Sequence, residues 1–376
     1  MSKTLFNSDI KIKTKNEFLS LLGVDLENFS YNNVMLKEKD FFVVYKGKEI
    51  KLITLLNKNG NCVQITNYGA RIASFIVNGI DSVIGFENIQ GYLNAKERYF
   101  NATIGRYANR IKEGKFLLNG KLQQVTINNG VNHLHGGKNG LNEIVWDILE
   151  TKQNYVKMET LLLDGQDGFT GNLRVQVSYS FEDDNSLKIN FWATCDKDTI
   201  INLTNHAFFN LSKDHNKKIT DTFLQINADY FLPIDKTSIP YGAFAKVEDT
   251  PFDFREIKLI GKDILEENEQ LKTGNGYDHC FVLKDKTFSA KAINKESSLM
   301  LEVFTTEPGL QLYTGNFLEG KDCGKGGITY FQRQAFCLEA QHFPDSPNHK
   351  EYPSVFLQAG QVFNSEIIYK ISKINL

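Results

Sequence analysis

The chain of 376 residues is 41% hydrophobic and 23% charged, with a formal net charge of −2, which is the composition of a soluble globular protein. That charge leaves no basic footprint for nucleic acid or an anionic membrane surface, and no run approaches the roughly 18 apolar residues of a membrane span. Five widely spaced cysteines without a C-x-x-C pair suggest neither a zinc ribbon nor a disulfide scaffold, and point to reduced thiols in the cytoplasm.

Residues 1–48 are richer in Lys and Asn than the rest of the chain and read as an appended, partly helical segment of unassigned role. Its opening "MSKTLFNSDIKIKTKNEF" has charges throughout and no apolar stretch of a secretory signal. "NEFLSLLGV" (16–24) carries a short helical pattern, and "IGKDILEENEQL" (260–271) is the only other one of note.

From residue 49 to 376 the pattern is strand-like. "CVQITNYGARIASFIVNG", "LRVQVSYSFEDDNSLKINFWATC" and "SLMLEVFTTEPGLQLYTG" alternate apolar and polar residues, and Asn-Gly or Asp-Asn turns separate them. Many short strands without βαβ alternation predict one all-β domain, a large antiparallel β-sandwich with few short helices.

Polar groups gather in five stretches. "IGRYANRI" (104–111) brings together Arg106, Asn109 and Arg110, which read either as surface residues beside a turn or as planar donors aimed at ligand oxygens. "NHLHGG" (132–137) sets His133 and His135 on one strand face, as metal-binding β proteins do, with Glu143 the acidic residue nearest in sequence. Two ordinary hydrogen-bonded histidines fit that stretch as well. "INLTNHAFFNL" (201–211) sets His206 among aromatics, and "GYDHCFVL" (276–283) opens an apolar strand on Asp278. In "FCLEAQHFPDSPNH" (336–349), Phe336, Leu338 and Ala340 mark one strand face and Cys337, Glu339 and Gln341 the other. A carboxylate amid apolar residues in mid-strand is costly without a partner or a task. Taken as a set, His206 and Glu339 offer an acid–base pair, and Arg110, His135 and Asp278 offer polar grips for a neutral, hydroxyl-rich ligand. No P-loop, G-x-G-x-x-G fingerprint or G-x-S-x-G elbow is present.

The stretches "NYGARI", "IGRYANRI", "LHGG", "NLTNHAFFNL", "YTGNF" and "CLEAQHFPDSPNH" resemble, in order, those of the aldose 1-epimerases (galactose mutarotases), over about residues 50–376. The resemblance implies the mutarotase-like β-sandwich and interconversion of the anomers of free hexoses such as galactose and glucose. It also implies His206 as acid, Glu339 as base, and Asn109, Arg110, His135, Asp278 and Gln311 as sugar-binding residues. Ring opening needs one proton taken from the C1 hydroxyl and one given to the ring oxygen, so neither cofactor nor metal is expected. The expected partner is a small free sugar, bound by a monomer or weak homodimer. "DGFTG" departs from the family in having Thr170 where Pro is usual. A non-catalytic sugar-binding or sensor module and a hexose 6-phosphate epimerase are the alternatives. A metal-dependent barrel using His133, His135 and Glu143 is a third, although Glu143 stands farther from His135 than such barrels place it.

Overall fold

The computed structural model describes residues 35–374; the helix expected at 16–24 lies outside them. The alternation read from the sequence becomes strands with one buried face. Leu173–Phe181 buries Leu173, Val175, Val177, Tyr179 and Phe181 and turns the residues between them outward. It pairs antiparallel with Ser186–Cys195, from Leu173 opposite Cys195 to Phe181 opposite Leu187. These two strands sit in a nine-stranded antiparallel sheet. Its order is Asp147–Lys152, Tyr155–Leu162, Leu173–Phe181, Ser186–Cys195, Val362–Lys373, Leu299–Thr305, Ala290–Asn294, Phe223–Ile226 and Lys258–Leu259.

A five-stranded sheet runs Ala245–Lys246, Ala228–Phe231, Asp278–Leu283, Gly309–Tyr313 and Cys337–Gln341. A four-stranded one runs Leu52–Leu56, Cys62–Thr66, Arg71–Val77 and Ile80–Asp81. One contiguous core joins all three: Val175, Val177, Ile189 and Ile367 of the large sheet pack with Phe281, Leu310 and Leu338 of the second and Val63, Ile65 and Ile72 of the third. At roughly 1.5–3 kcal/mol for each such side chain fully buried, this layering holds the sandwich together. The all-β reading is therefore the observed architecture.

The five-stranded sheet differs from the large one in that Gly309–Tyr313 and Cys337–Gln341 are buried at every position. Leu310, Leu312, Leu338 and Ala340 face the core. By alternation the other face presents Gln311, Tyr313, Glu339 and Gln341, and that face is where chemistry is placed.

Among the described residues there are two α-helices. Ile89–Asn94, not anticipated, starts where the Asn88 side chain accepts the Gly91 N–H. The helix expected over 260–271 is confined to Glu269–Gly274. Residues 260–268 turn instead, because Lys258–Leu259 pairs with Phe223–Leu224 and Asn268 caps a new start by accepting from the N–H groups of Gln270 and Leu271. Leu36 and Phe41 are buried in a second cluster with Tyr92, Phe208, Tyr313 and Cys337, and Val43–Tyr45 forms a hairpin with Lys48–Ile50. The division expected after residue 48 falls inside that hairpin.

Candidate active site

Strand register sets the floor of the site. Glu339 lies directly opposite Gln311, and Asp278 opposite Tyr313, on three adjacent strands of the five-stranded sheet. Gln311 Nε2 donates to Asp278 Oδ1 at 2.7 Å, which leaves Gln311 Oε1 buried and without a protein partner.

His206 follows the short strand Thr204–Asn205, which pairs with Thr103–Ile104. Its backbone N–H donates to Ala102 O at 2.9 Å, and its carbonyl accepts from Asn101 N–H at 3.1 Å. The ring is held between two aromatic planes, Phe208 at 4.9 Å and Tyr99 at 6.0 Å between centroids, both nearly parallel to it. So clamped, His206 Nε2 lies 3.4 Å from Glu339 Oε1. The two residues stand 133 positions apart in the sequence and meet because the fold joins the end of one short strand to the middle of another.

One wall comes from two loops locked to each other. His135 N–H donates to Asn109 O, and Asn109 N–H donates to His135 Nδ1, both at 3.1 Å. Asn109 and His135 both have positive φ, +64° and +51°. Gly136, with φ +84°, comes so close to the other loop that a Cβ there would stand 2.0 Å from Gly105 O. The glycines of "LHGG" thus serve close backbone approach. Arg110 Nε donates to Asn129 Oδ1 at 3.1 Å, and its Nη1 stands 3.9 Å from Asp278 Oδ2.

These elements enclose a cavity of about 590 Å³ lined by Asn109, Arg110, His135, His206, Asp278 and Glu339. Gln311 lies just behind, between Asp278 and Glu339. All seven residues that the resemblance implies for the site therefore come together, whereas Arg106, His133 and Glu143 do not line the cavity. The sequence reading did not single out Glu97, Tyr99, Lys236, Tyr313 or Phe317, which also line the cavity. Tyr313 lay within the quoted "YTGNF"; "KERYF" (96–100) reads as an ordinary charged turn.

Burial dominates the electrostatics. Glu339 is 2% exposed, and burial, with Asp278 adding to it, raises its pKa well above the usual carboxylate range. Burial lowers His206 to about 3 and His135 well below 6.5. Glu339 Oε2 and His206 Nδ1 have no protein partner, although buried polar atoms are rarely left so.

His135, His206 and Glu339 bring one donor atom each within 4.8 Å of one another. The tautomer argues against a cation at this trio. Because His135 Nδ1 accepts a backbone N–H, the neutral ring carries its proton on Nε2 and offers the cavity a donor, not a lone pair. The trio suits a hydroxyl. His133, Glu143 and His135 form no such group among the described residues. His133 Nδ1 donates to Thr126 O, its ring meets Phe169 edge-on, and burial lowers it to about 4. Glu143 accepts from Tyr68, Arg98 and Asn142. Arg106, in the same motif as Arg110, turns away and donates to the carbonyls of Thr170 and Gly171.

The family model described as aldose 1-epimerase matches residues 51–370. The chain is 40% identical to galactose mutarotase of Bos taurus over 318 residues, 82% of this chain and 91% of that one. It is 36% identical to aldose 1-epimerase of Escherichia coli K12 over 335 residues, 86% and 96% of the two chains. Among solved structures, galactose 1-epimerase of Lactobacillus acidophilus superposes with a TM-score of 0.80 at 30% identity, covering 89% of this chain and 98% of that one.

Proposed function

The chain belongs to the aldose 1-epimerase family, and on that premise we propose that it interconverts the α and β anomers of free aldohexoses with Glu339 as base and His206 as acid. It is an isomerase. The observation that carries the residue roles is the 3.4 Å approach of His206 Nε2 to Glu339 Oε1 inside a cavity lined with hydroxyl-binding groups.

The reaction then runs as two coupled proton transfers. Glu339 takes the proton of the C1 hydroxyl, His206 gives one to the ring oxygen, and the C1–O5 bond breaks to leave an open-chain aldehyde. Rotation about C1–C2 presents the other carbonyl face. The C5 hydroxyl then attacks while His206 takes back its proton and Glu339 returns the other. Two positioned proton-transfer groups contribute ~10²–10⁴-fold each.

The remaining side chains would hold C2 to C6 while C1 turns. Asn109 Oδ1 already accepts the Arg110 N–H, so its Nδ2 is the group left to donate to a sugar. His135 Nε2–H and the Arg110 guanidinium are further donors, and Asp278 and Gln311 Oε1 are acceptors. A free sugar fits better than a hexose 6-phosphate: Arg110 and Lys236 are matched around the cavity by Asp278 and Glu97, so no surplus of positive charge is left for a phosphate dianion.

The working unit proposed is a monomer, or at most a weak homodimer. The unbridged thiols of Cys195, Cys280, Cys323 and Cys337 support a reducing, cytoplasmic setting. No helix among the described residues is long and apolar enough to cross a membrane.

Polarimetry of freshly dissolved α-galactose and α-glucose tests the proposal. Faster decay of rotation with protein, unchanged by EDTA, is expected. Activity abolished by the chelator and restored by added metal would overturn the metal-free mechanism.

A further inference from the structure

A long, flexible arginine is a poor grip unless something fixes its guanidinium. Arg110 stands opposite Leu134 in the short strand pair Arg110–Ile111 and His133–Leu134. The stretch before it, "NNGVN" (128–132), folds back against that pair. Asn128 binds both backbone groups of Leu134: its Oδ1 accepts the N–H at 2.7 Å and its Nδ2 donates to the carbonyl at 2.9 Å. Asn129 and Asn132 exchange backbone hydrogen bonds at 3.1 and 2.9 Å. The buried Asn132 side chain accepts the Glu113 N–H at 2.9 Å and donates to Thr237 O at 3.1 Å. The loop is thereby tied at both ends, and Asn129 stands in the cavity wall.

The hydrogen bond from Arg110 Nε to Asn129 Oδ1, at 3.1 Å, is the one that the Arg110 side chain makes among the described residues. Asp278 Oδ2, 3.9 Å from Nη1, is beyond hydrogen-bond reach. A guanidinium is planar and carries one donor on Nε and the rest on its two Nη groups. Holding Nε together with the stem fixes the plane and leaves both Nη groups for the cavity that Arg110 lines. The Arg110 side chain is only 11% exposed, so an Nε–H without Asn129 would have little water to turn to. The fork would swing onto the Asp278 carboxylate, and the sugar would lose a donor and an acceptor together.

We propose that Asn129 is a positioning residue of the sugar site, holding the Arg110 Nη groups toward the sugar and keeping Arg110 and Asp278 apart. The inference rests on the proposed mutarotase function and adds to its binding groups a residue that acts through Arg110 without touching the sugar.

The test is a double-mutant cycle read as KM and kcat for galactose by polarimetry, in the native protein, Asn129→Leu, Arg110→Lys and the two combined. Leu fills the space of the amide but offers no acceptor; Lys keeps the charge but has no Nε–H. Both leave the backbone bonds between Asn129 and Asn132 in place. Asn129→Leu alone should raise KM roughly tenfold, the scale of one hydrogen bond to a charged group. Its kcat should hardly change, because the grip serves bound sugar and transition state alike. Added to Arg110→Lys, the same change should raise KM little further, since the partner it acts on is gone. Asn129→Asp, which restores the acceptor, should recover most of the lost affinity. An equal rise in KM in both backgrounds would mean that Asn129 touches the sugar itself or merely supports the loop, and would overturn the inference. So would a native KM in Asn129→Leu, or an Asn129→Asp variant as weak as Asn129→Leu. A native protein that fails to equilibrate galactose contradicts the function itself, and the first measurement of the cycle reveals that separately.

Discussion

Burial disfavours charge on Glu339 and His206 alike, raising the one and lowering the other, so across a wide pH range the pair holds one proton between them. In the free protein that proton sits on the carboxyl group beside a neutral imidazole. A sugar whose C1 hydroxyl donates to Glu339 and whose ring oxygen accepts from His206 favours the other arrangement, carboxylate and imidazolium, which contains the same number of protons. The competent state is therefore the singly protonated pair. It gains a second proton only near pH 3, where His206 titrates, and loses its proton above the raised pKa of Glu339. An ordinary histidine, at about 6.5, would suggest a different profile. The expected kcat/KM has its acid limb near pH 3, where His206 titrates, and falls on the alkaline side only as pH rises through the raised Glu339 pKa. An acid limb centred near 6.5 in the pH–rate profile would contradict this assignment.

At the scale of elements, the site depends on two loops whose backbones nearly touch. Gly136→Ala would drive a Cβ to 2.0 Å from Gly105 O at a residue with φ +84°. The two loops would have to separate, at about 3 kcal/mol. Their separation would move His135 and Arg110, so KM for galactose should rise along with a drop in melting temperature; a variant with native KM would show that the loops do not position the grips. The strands were legible because alternation reports a half-buried face directly, as in Leu173–Phe181. Glu339 was legible because a carboxylate interrupts such a pattern. The helix at 269–274 was misjudged because periodicity over 260–271 competes with turn chemistry at Gly261 and a cap at Asn268, and these won. Glu97 was not legible at all. "KER" reads as a solvated turn until Asp322, 225 residues away, fixes which way it faces.

For the whole molecule, the segment before the first long strand is divided in its duties. Leu36 and Phe41 belong to the cluster that backs Phe208 and Tyr313. Every residue assigned to the site lies at or beyond Glu97. Deleting residues 1–45 should therefore lower the melting temperature, with loss of Phe41 alone costing about 3–5 kcal/mol. Turnover per folded molecule should survive. A stable, monodisperse truncate that has lost sugar turnover would mean that the segment serves the active site. The central claim is that Glu339 and His206 act as one unit, and the initial rate of α-galactose equilibration in Glu339→Gln, His206→Asn and the double variant tests it most directly. Each single change should cost several orders of magnitude, and the double variant should be little slower than the worse single. Near-native turnover in Glu339→Gln, or a double variant slower by the product of the two losses, would contradict it.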